Sequence, residues 1–232
     1  MLPIRDINPV SRPPIMTRAL LLINVAFFAP IFWAFITGDS ALYARLITSL
    51  GLIPRKLMAL QDLYTLVTSM FTHADLLHIA GNMLYLHIFG DNVEDVLGRA
   101  RFVVFYFICG FAAAFSHVLM CYLTGTGLDV PIVGASGAIS GILGAYVVFF
   151  PGARILTFVS YRPYPVEVRA AYYIMVWFLY QAVWAAAVLT MGLQVSVAFW
   201  AHIGGFLTGL LFGFLLKEEV RLRAQERSWI GW

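Results

Sequence analysis

The stretch VAFWAHIGGFLTGLLFGFLL, residues 197–216, decides the fold. A helix needs about 20 apolar residues to cross the ~30 Å hydrocarbon core of a bilayer, and this stretch supplies them without one charged side chain. Gly205, Gly209 and Gly213 recur at intervals of four, which places them on one helix face. Such a stripe lets a second helix backbone approach closely. One ionisable residue, His202, interrupts the run about five residues from its start. A polar side chain inside a span is costly unless it faces a cavity or a partner, so His202 is a functional candidate.

Five further apolar runs precede this one, at about 19–36, 74–89, 100–123, 134–150 and 170–191. Of the 232 residues, 61% are hydrophobic and only 12% charged, and the mean hydropathy is +0.84. A soluble domain needs far more polar surface. The chain therefore reads as an all-α membrane protein, one bundle of six transmembrane helices with no room for a second domain. Residues 1–18 form an N-terminal tail, 19–216 the core, and 217–232 a C-terminal tail. The tail before the first span lacks the short apolar stretch and small-residue cleavage site of a signal peptide, so that span is expected to be retained. Cys109 and Cys121 share one apolar run and read as small hydrophobes, not a disulfide framework. The net charge of +3 is too small to indicate a nucleic-acid partner.

All but three of the 15 lysines and arginines fall in the two tails and in the second and fourth connections. The exceptions, Arg45, Arg55 and Lys56, lie in the first connection. The positive-inside rule then puts both termini in the cytoplasm. The first connection, 37–73, is long for a structureless loop and alternates apolar with polar residues. It is expected to form short amphipathic helices in the outer interface.

The polar residues of three spans converge on that outer side. The fourth run opens with Gly134-Ala135-Ser136-Gly137, and Ser136 lies about two residues in. His78 and Asn82 lie four and eight residues into the second run. With His202, at ~1.5 Å per residue, these depths are roughly 3 to 12 Å. Gly137 and Gly141 form a stripe on the fourth run that matches the one on the sixth. If the stripes face each other, Ser136 and His202 come within hydrogen-bond reach. A serine hydroxyl is a poor nucleophile alone, and a neighbouring imidazole takes its proton and returns it to the leaving group. His78 and Asn82 share one helix face, and with the Ser136 backbone N–H they would hold an oxyanion. No carboxylate sits at this depth. Asp75 is near the mouth, but a Ser–His dyad is the simpler reading. Taken singly, each residue has a plainer role: a serine bonding its own helix, a packing histidine, an asparagine joining helices. His87 and His117 keep such a role. HExxH is absent and no intramembrane carboxylate accompanies the histidines, so no metal and no cofactor are expected.

Three strings now resemble one family. Gly134-Ala135-Ser136-Gly137-Ala138 resembles the nucleophile motif of the rhomboid intramembrane serine proteases. His78-Ile79-Ala80-Gly81-Asn82-Met83 resembles their HxxxN motif, with His73 at the upstream histidine. Ala201-His202-Ile203-Gly204-Gly205-Phe206-Leu207-Thr208-Gly209 resembles their AHxxGxxxG motif. Glu94, Gly98, Arg99 and Arg101 resemble the segment after the second span. The resemblance implies Ser136 as nucleophile, His202 as general base, and His78, Asn82 and the Ser136 amide as the oxyanion site. His73, Gly134, Gly137, Gly205 and Gly209 would support it. It further implies a water-filled cavity on the non-cytoplasmic side. The fifth span and residues 192–196 would be gate and cap. Two departures stand out. Ser140 occupies the place of an aromatic residue found in some members beneath the histidine ring, and the first connection lacks a Trp-Arg pair.

The expected function is intramembrane endopeptidase, cutting single-span membrane proteins in or near their transmembrane segment. The first rival is a catalytically silent relative that binds membrane clients; such relatives typically lack the serine or histidine, and both are present here. The second is a transporter or channel lined by His78, Asn82 and His202, but the charged residues such sites often use are missing from the middle of these spans. The expected partners are those substrates and the lipid bilayer, with no nucleic acid. The short tails and absent transit peptide favour a bacterial inner membrane.

Overall fold

The computed structural model describes residues 2–160, 163–191 and 197–230, apart from the side chains of 223–230. The chain is mostly helical. In order it forms β1 (Leu2–Asp6), α1 (Ile15–Ile36), α2 (Ser40–Leu50), α3 (Pro54–Met58), α4 (Thr65–Thr68), α5 (Leu76–Leu97), α6 (Arg99–Thr124), α7 (Ser136–Phe149), β2 (Arg154–Phe158), β3 (Val166–Arg169), α8 (Ala170–Met191) and α9 (Phe199–Ile230). Among the described residues, four helices are long and apolar enough to cross a membrane: α1, α6, α8 and the part of α9 up to Leu222. The shorter α7 is also apolar.

Helix α7 is the axis of the fold. It packs against α9, α6 and α5, and almost every position from Gly137 to Val148 is buried. Helix α1 buries Thr17, Leu20, Asn24, Phe28, Ile31 and Ala34, a stripe at spacings of three and four that packs on α5. The core joins Leu86 and Phe89 of α5, Phe102 and Tyr106 of α6, and Ile142 and Tyr146 of α7. Cys109 and Cys121 are free and buried.

The all-α reading needs one correction. Strands β1, β2 and β3 form an antiparallel sheet in that order, so the N-terminal tail is structured. Pro3 faces Thr157 and Asp6 faces Ile155, while Ile155 also faces Val168. Ile155 and Thr157 alternate inward with fully buried side chains, which is the period of a half-buried strand.

The second apolar run also extends further than its hydropathy. Helix α5 continues through Asn92, Glu94 and Asp95 because the N-terminal segment satisfies them, while Asp91 accepts from Asn92 beside it. Asn92 Nδ2 donates to Asp6 at 2.5 Å, and Asn8 Nδ2 donates to Asn92 Oδ1 at 2.6 Å. Ser11 Oγ donates to Asp95 at 2.7 Å. The Glu94 carboxylate accepts from the backbone N–H of Met16 and Thr17 at 2.9 and 2.7 Å. Those amides belong to the first turn of α1, where no partner exists within the helix. Glu94 thus caps α1 from a neighbouring helix.

Asp6 also accepts from the Tyr146 hydroxyl at 3.0 Å. Burial, with Asp91 beside it, pushes the Asp6 carboxyl from 3.8 up to about 6, against the opposing hydrogen bonds from Tyr146 and Asn92. The folded chain therefore holds this proton more tightly than the unfolded chain. The resulting stabilisation is complete below pH 3.8 and is lost as pH rises through about 6. Exchange of the β1 amides, corrected for intrinsic rates, is expected to be slower at pH 4 than at pH 7. In Asp6→Asn the difference should shrink; an unchanged pH dependence in that variant would exclude Asp6 as its source.

The first connection forms short helices, α2 to α4, as its pattern indicated. They dock on the loop between α6 and α7. Leu52 and Ile132 form a β-bridge, and Arg55 grips Asp129 through Nε and Nη2 at 2.7 and 2.9 Å. This pair is exposed, so its value lies in register more than in energy.

Candidate active site

Ser136 is the first residue of α7 and His202 lies in the first turn of α9. The two helices meet through their glycines. An ideal Cβ on Gly205 would stand 2.0 Å from the carbonyl oxygen of Gly137, and one on Gly209 would stand 1.9 Å from that of Gly141. Gly137 itself faces Ala113, where a Cβ would come to 2.5 Å from the alanine methyl. With the backbones this close, His202 Nε2 lies 2.8 Å from Ser136 Oγ. The pair is a hydrogen bond of ordinary length.

The turn that delivers Ser136 depends on Gly134. Its φ of +122° is a conformation that side chains rarely adopt, and a Cβ there would lie 2.7 Å from His78 Nε2. The His78 ring therefore lies against the backbone entering α7. Its own backbone N–H donates to Asp75 Oδ1 at 2.8 Å, so Asp75 is the N-cap of α5 and not a partner of His202. Behind His78 stands His73, fully buried, with ring centroids 5.1 Å apart in an edge-to-face pair. His73 Nδ1 lies 3.3 Å from the Phe71 carbonyl oxygen, and Nε2 faces the Ala135 N–H at 3.5 Å. Burial, then His78, pushes the His73 imidazole down to about 3, so it is neutral at physiological pH and accepts from Ala135.

Asn82 sits one turn below His78. Its amide nitrogen donates to the His78 carbonyl at 2.8 Å, and its buried Oδ1 has no hydrogen-bond partner among the described residues. Ser140, one turn below Ser136, is fully buried and donates to the Ser136 carbonyl at 2.6 Å. It gives His202 no shelf. Instead α8 reaches the ring: Gln181 Oε1 lies 2.8 Å from His202 Nδ1, and the Trp177 ring stands 5.9 Å from the imidazole at 37°. Sequence reasoning did not single out Gln181, although it carries a signal: it is a lone amide in an apolar span, where a polar side chain is costly unless it meets a partner.

His87 is exposed. His117 lies on α6 with Nδ1 buried and without a hydrogen-bond partner among the described residues. Residues 192–196, expected to cap the site, lie outside the described residues. No group of three metal-binding side chains occurs among the described residues.

Among helices of which four are long and apolar enough to cross a membrane, a half-buried serine and a half-buried histidine meet at 2.8 Å, and together they define a membrane protein with a polar centre inside its helix bundle. Residues 60–219 match the Rhomboid domain, so the chain belongs to the rhomboid family. It is 31% identical over 94% of its length to "Rhomboid protein 1, mitochondrial" of Saccharomyces cerevisiae, of which it covers 58%. It is 32% identical over 71% of its length to "RHOMBOID-like protein 6, mitochondrial" of Arabidopsis thaliana, covering 47% of that protein. The chain thus spans about half the length of these curated relatives. It is an integral multi-pass membrane protein. The expectation of a bacterial inner membrane gains no support from these relatives, both named as mitochondrial.

Proposed function

We propose that the chain is an intramembrane serine endopeptidase that cuts single-span membrane proteins in or near their transmembrane segment. The observation that carries this reading is the 2.8 Å contact between His202 Nε2 and Ser136 Oγ. In this reading α1, α5, α6, α7, α8 and α9 are the six spans of one core, 19–216, with both tails cytoplasmic. At ~1.5 Å per residue α7 is about 21 Å long, shorter than the hydrocarbon core. A span that short leaves its start, Ser136, below the outer surface, where a cavity must bring water.

Ser136 Oγ attacks the scissile carbonyl carbon while His202 Nε2 takes the hydroxyl proton. The carbonyl oxygen becomes an oxyanion, stabilised by the Ser136 backbone N–H and the His78 ring, with Asn82 beside them. Collapse breaks the C–N bond, and the imidazolium gives its proton to the leaving amine. Water, deprotonated by His202, then hydrolyses the acyl-serine. A substrate helix must unwind first, since a helical peptide bond is shielded by its own hydrogen bonds.

The test is cleavage of a single-span protein co-reconstituted in liposomes, with the cut mapped by mass spectrometry. The wild type should cut within or beside the span, and cleavage should persist in EDTA. Ser136→Ala should leave the substrate intact; equal cleavage by that variant would remove the reading.

A further inference from the structure

Three atoms line up across α8, α9 and α7. Gln181 Oε1 is 2.8 Å from His202 Nδ1, and His202 Nε2 is 2.8 Å from Ser136 Oγ. We propose that Gln181 is the positioning residue of the site, holding His202 in the tautomer and orientation in which it can act as a base. The inference rests on the Ser136–His202 reading above.

The chemistry of the groups sets the direction of both bonds. An amide oxygen only accepts, so the proton between it and the ring belongs to Nδ1. A neutral imidazole has one N–H, so Nε2 then carries the lone pair, and that lone pair faces the serine hydroxyl. The opposite tautomer would present an N–H to Oγ and could not take its proton. As the proton arrives at Nε2, the ring becomes a cation and its bond to Oε1 becomes charge-assisted. The interaction is therefore stronger in the transition state than before it, which is the condition for raising kcat.

Burial makes the partner matter. Gln181 is only 5% exposed, so bulk water cannot freely replace its oxygen. The neighbours also leave His202 few other supports. Ser140 is turned to its own helix, and Asp75 is committed to the His78 amide. Trp177, one turn before Gln181 on α8, contributes an apolar wall and no acceptor. Helix α8 is also the most lightly seated of the four candidate spans, with 17% of its apolar stretch buried against 28 to 39% in the others. The orientation of the base is thus set by a helix other than the two that carry Ser136 and His202.

The experiment compares the rate of covalent labelling by a fluorophosphonate probe in wild type, Ser136→Ala, Gln181→Leu and Gln181→Glu, each purified as the full chain in detergent. Wild type should label at Ser136 and Ser136→Ala should not. Gln181→Leu keeps the bulk and removes the acceptor; its labelling should slow by about 10- to 100-fold. Gln181→Glu restores an acceptor and should label within about fivefold of wild type. With a cleavable single-span substrate, Gln181→Leu should lower kcat by a similar factor and leave KM within about twofold. If the leucine variant does not purify as a folded protein, Gln181→Met takes its place. An unlabelled wild type would sink the serine-hydrolase reading and this inference together. A labelled wild type with Gln181→Leu at the same rate would overturn the role of Gln181 alone. So would Gln181→Glu as slow as Gln181→Leu, or a loss expressed in KM, because those mark a packing role.

Discussion

Gly209→Ala is expected to part α7 from α9 and to lower the protein's thermal stability. The added methyl would sit 1.9 Å from the carbonyl oxygen of Gly141 and 2.5 Å from its carbonyl carbon. Both are backbone atoms, so no side chain can turn aside. The helices must move by about 1 Å along their whole contact, and overpacking of this kind costs ~1–3 kcal/mol or more. Gly205→Ala meets Gly137 in the same way at 2.0 Å, only three residues after His202. There the movement also pulls Nε2 from Oγ, and misplacement by about 1 Å can cost ~100-fold in rate. Gly81→Ala makes the contrast. It also lies inside a helix, yet a Cβ there meets nothing within 4 Å. Alanine should be neutral or stabilising at that site, by up to ~1 kcal/mol. Thermal unfolding in detergent, read by intrinsic fluorescence, separates the cases. Equal midpoints for Gly209→Ala and Gly81→Ala would show that the glycine seam does not set the helix spacing.

That seam was legible because small residues at intervals of four leave a mark that no polar pattern hides. Ser136 and His202 were legible for the opposite reason: a polar group in an apolar run has to be accounted for. What stayed hidden was whatever hydropathy misreads. The apolar run ending near Phe89 suggested the end of a span, but the helix goes on to Leu97. Its polar end is satisfied by Asp6, Asn8, Ser11 and the first turn of α1, partners some 80 residues away in sequence. The sheet was hidden because β3 has four residues and β1 and β2 five each, too short for an alternating pattern to stand out. Gln181 carries neither charge nor an aromatic ring, so nothing in its residue type ties it to a histidine 21 positions away; the structure makes it the amide partner of His202. The support for His202 therefore comes from α8, and Ser140 is left to its own helix turn.

Ser136→Ala and His202→Ala are each expected to lower the cleavage rate by at least about 10³-fold, and the double variant no further than either alone. The non-additivity follows from the 2.8 Å contact. Both side chains act in one step, the transfer of the hydroxyl proton as Oγ attacks. Without the imidazole the hydroxyl attacks with no base to receive its proton. Without the hydroxyl the imidazole has no proton to take from the nucleophile. Removing one therefore removes the work of both. What remains is whatever the Ser136 amide, His78 and Asn82 contribute to a carbonyl attacked by water, and all three variants retain those groups. The control is the free energy of the pair. If the site were two unrelated polar residues, the losses would multiply, since distant independent substitutions add in free energy. Initial rates on one single-span substrate, at saturating concentration and equal folded protein, decide between the two. Losses in the double variant near the product of the singles would break the dyad apart. A His202→Ala variant with wild-type rate would leave Ser136 without a base and send the search to another side chain.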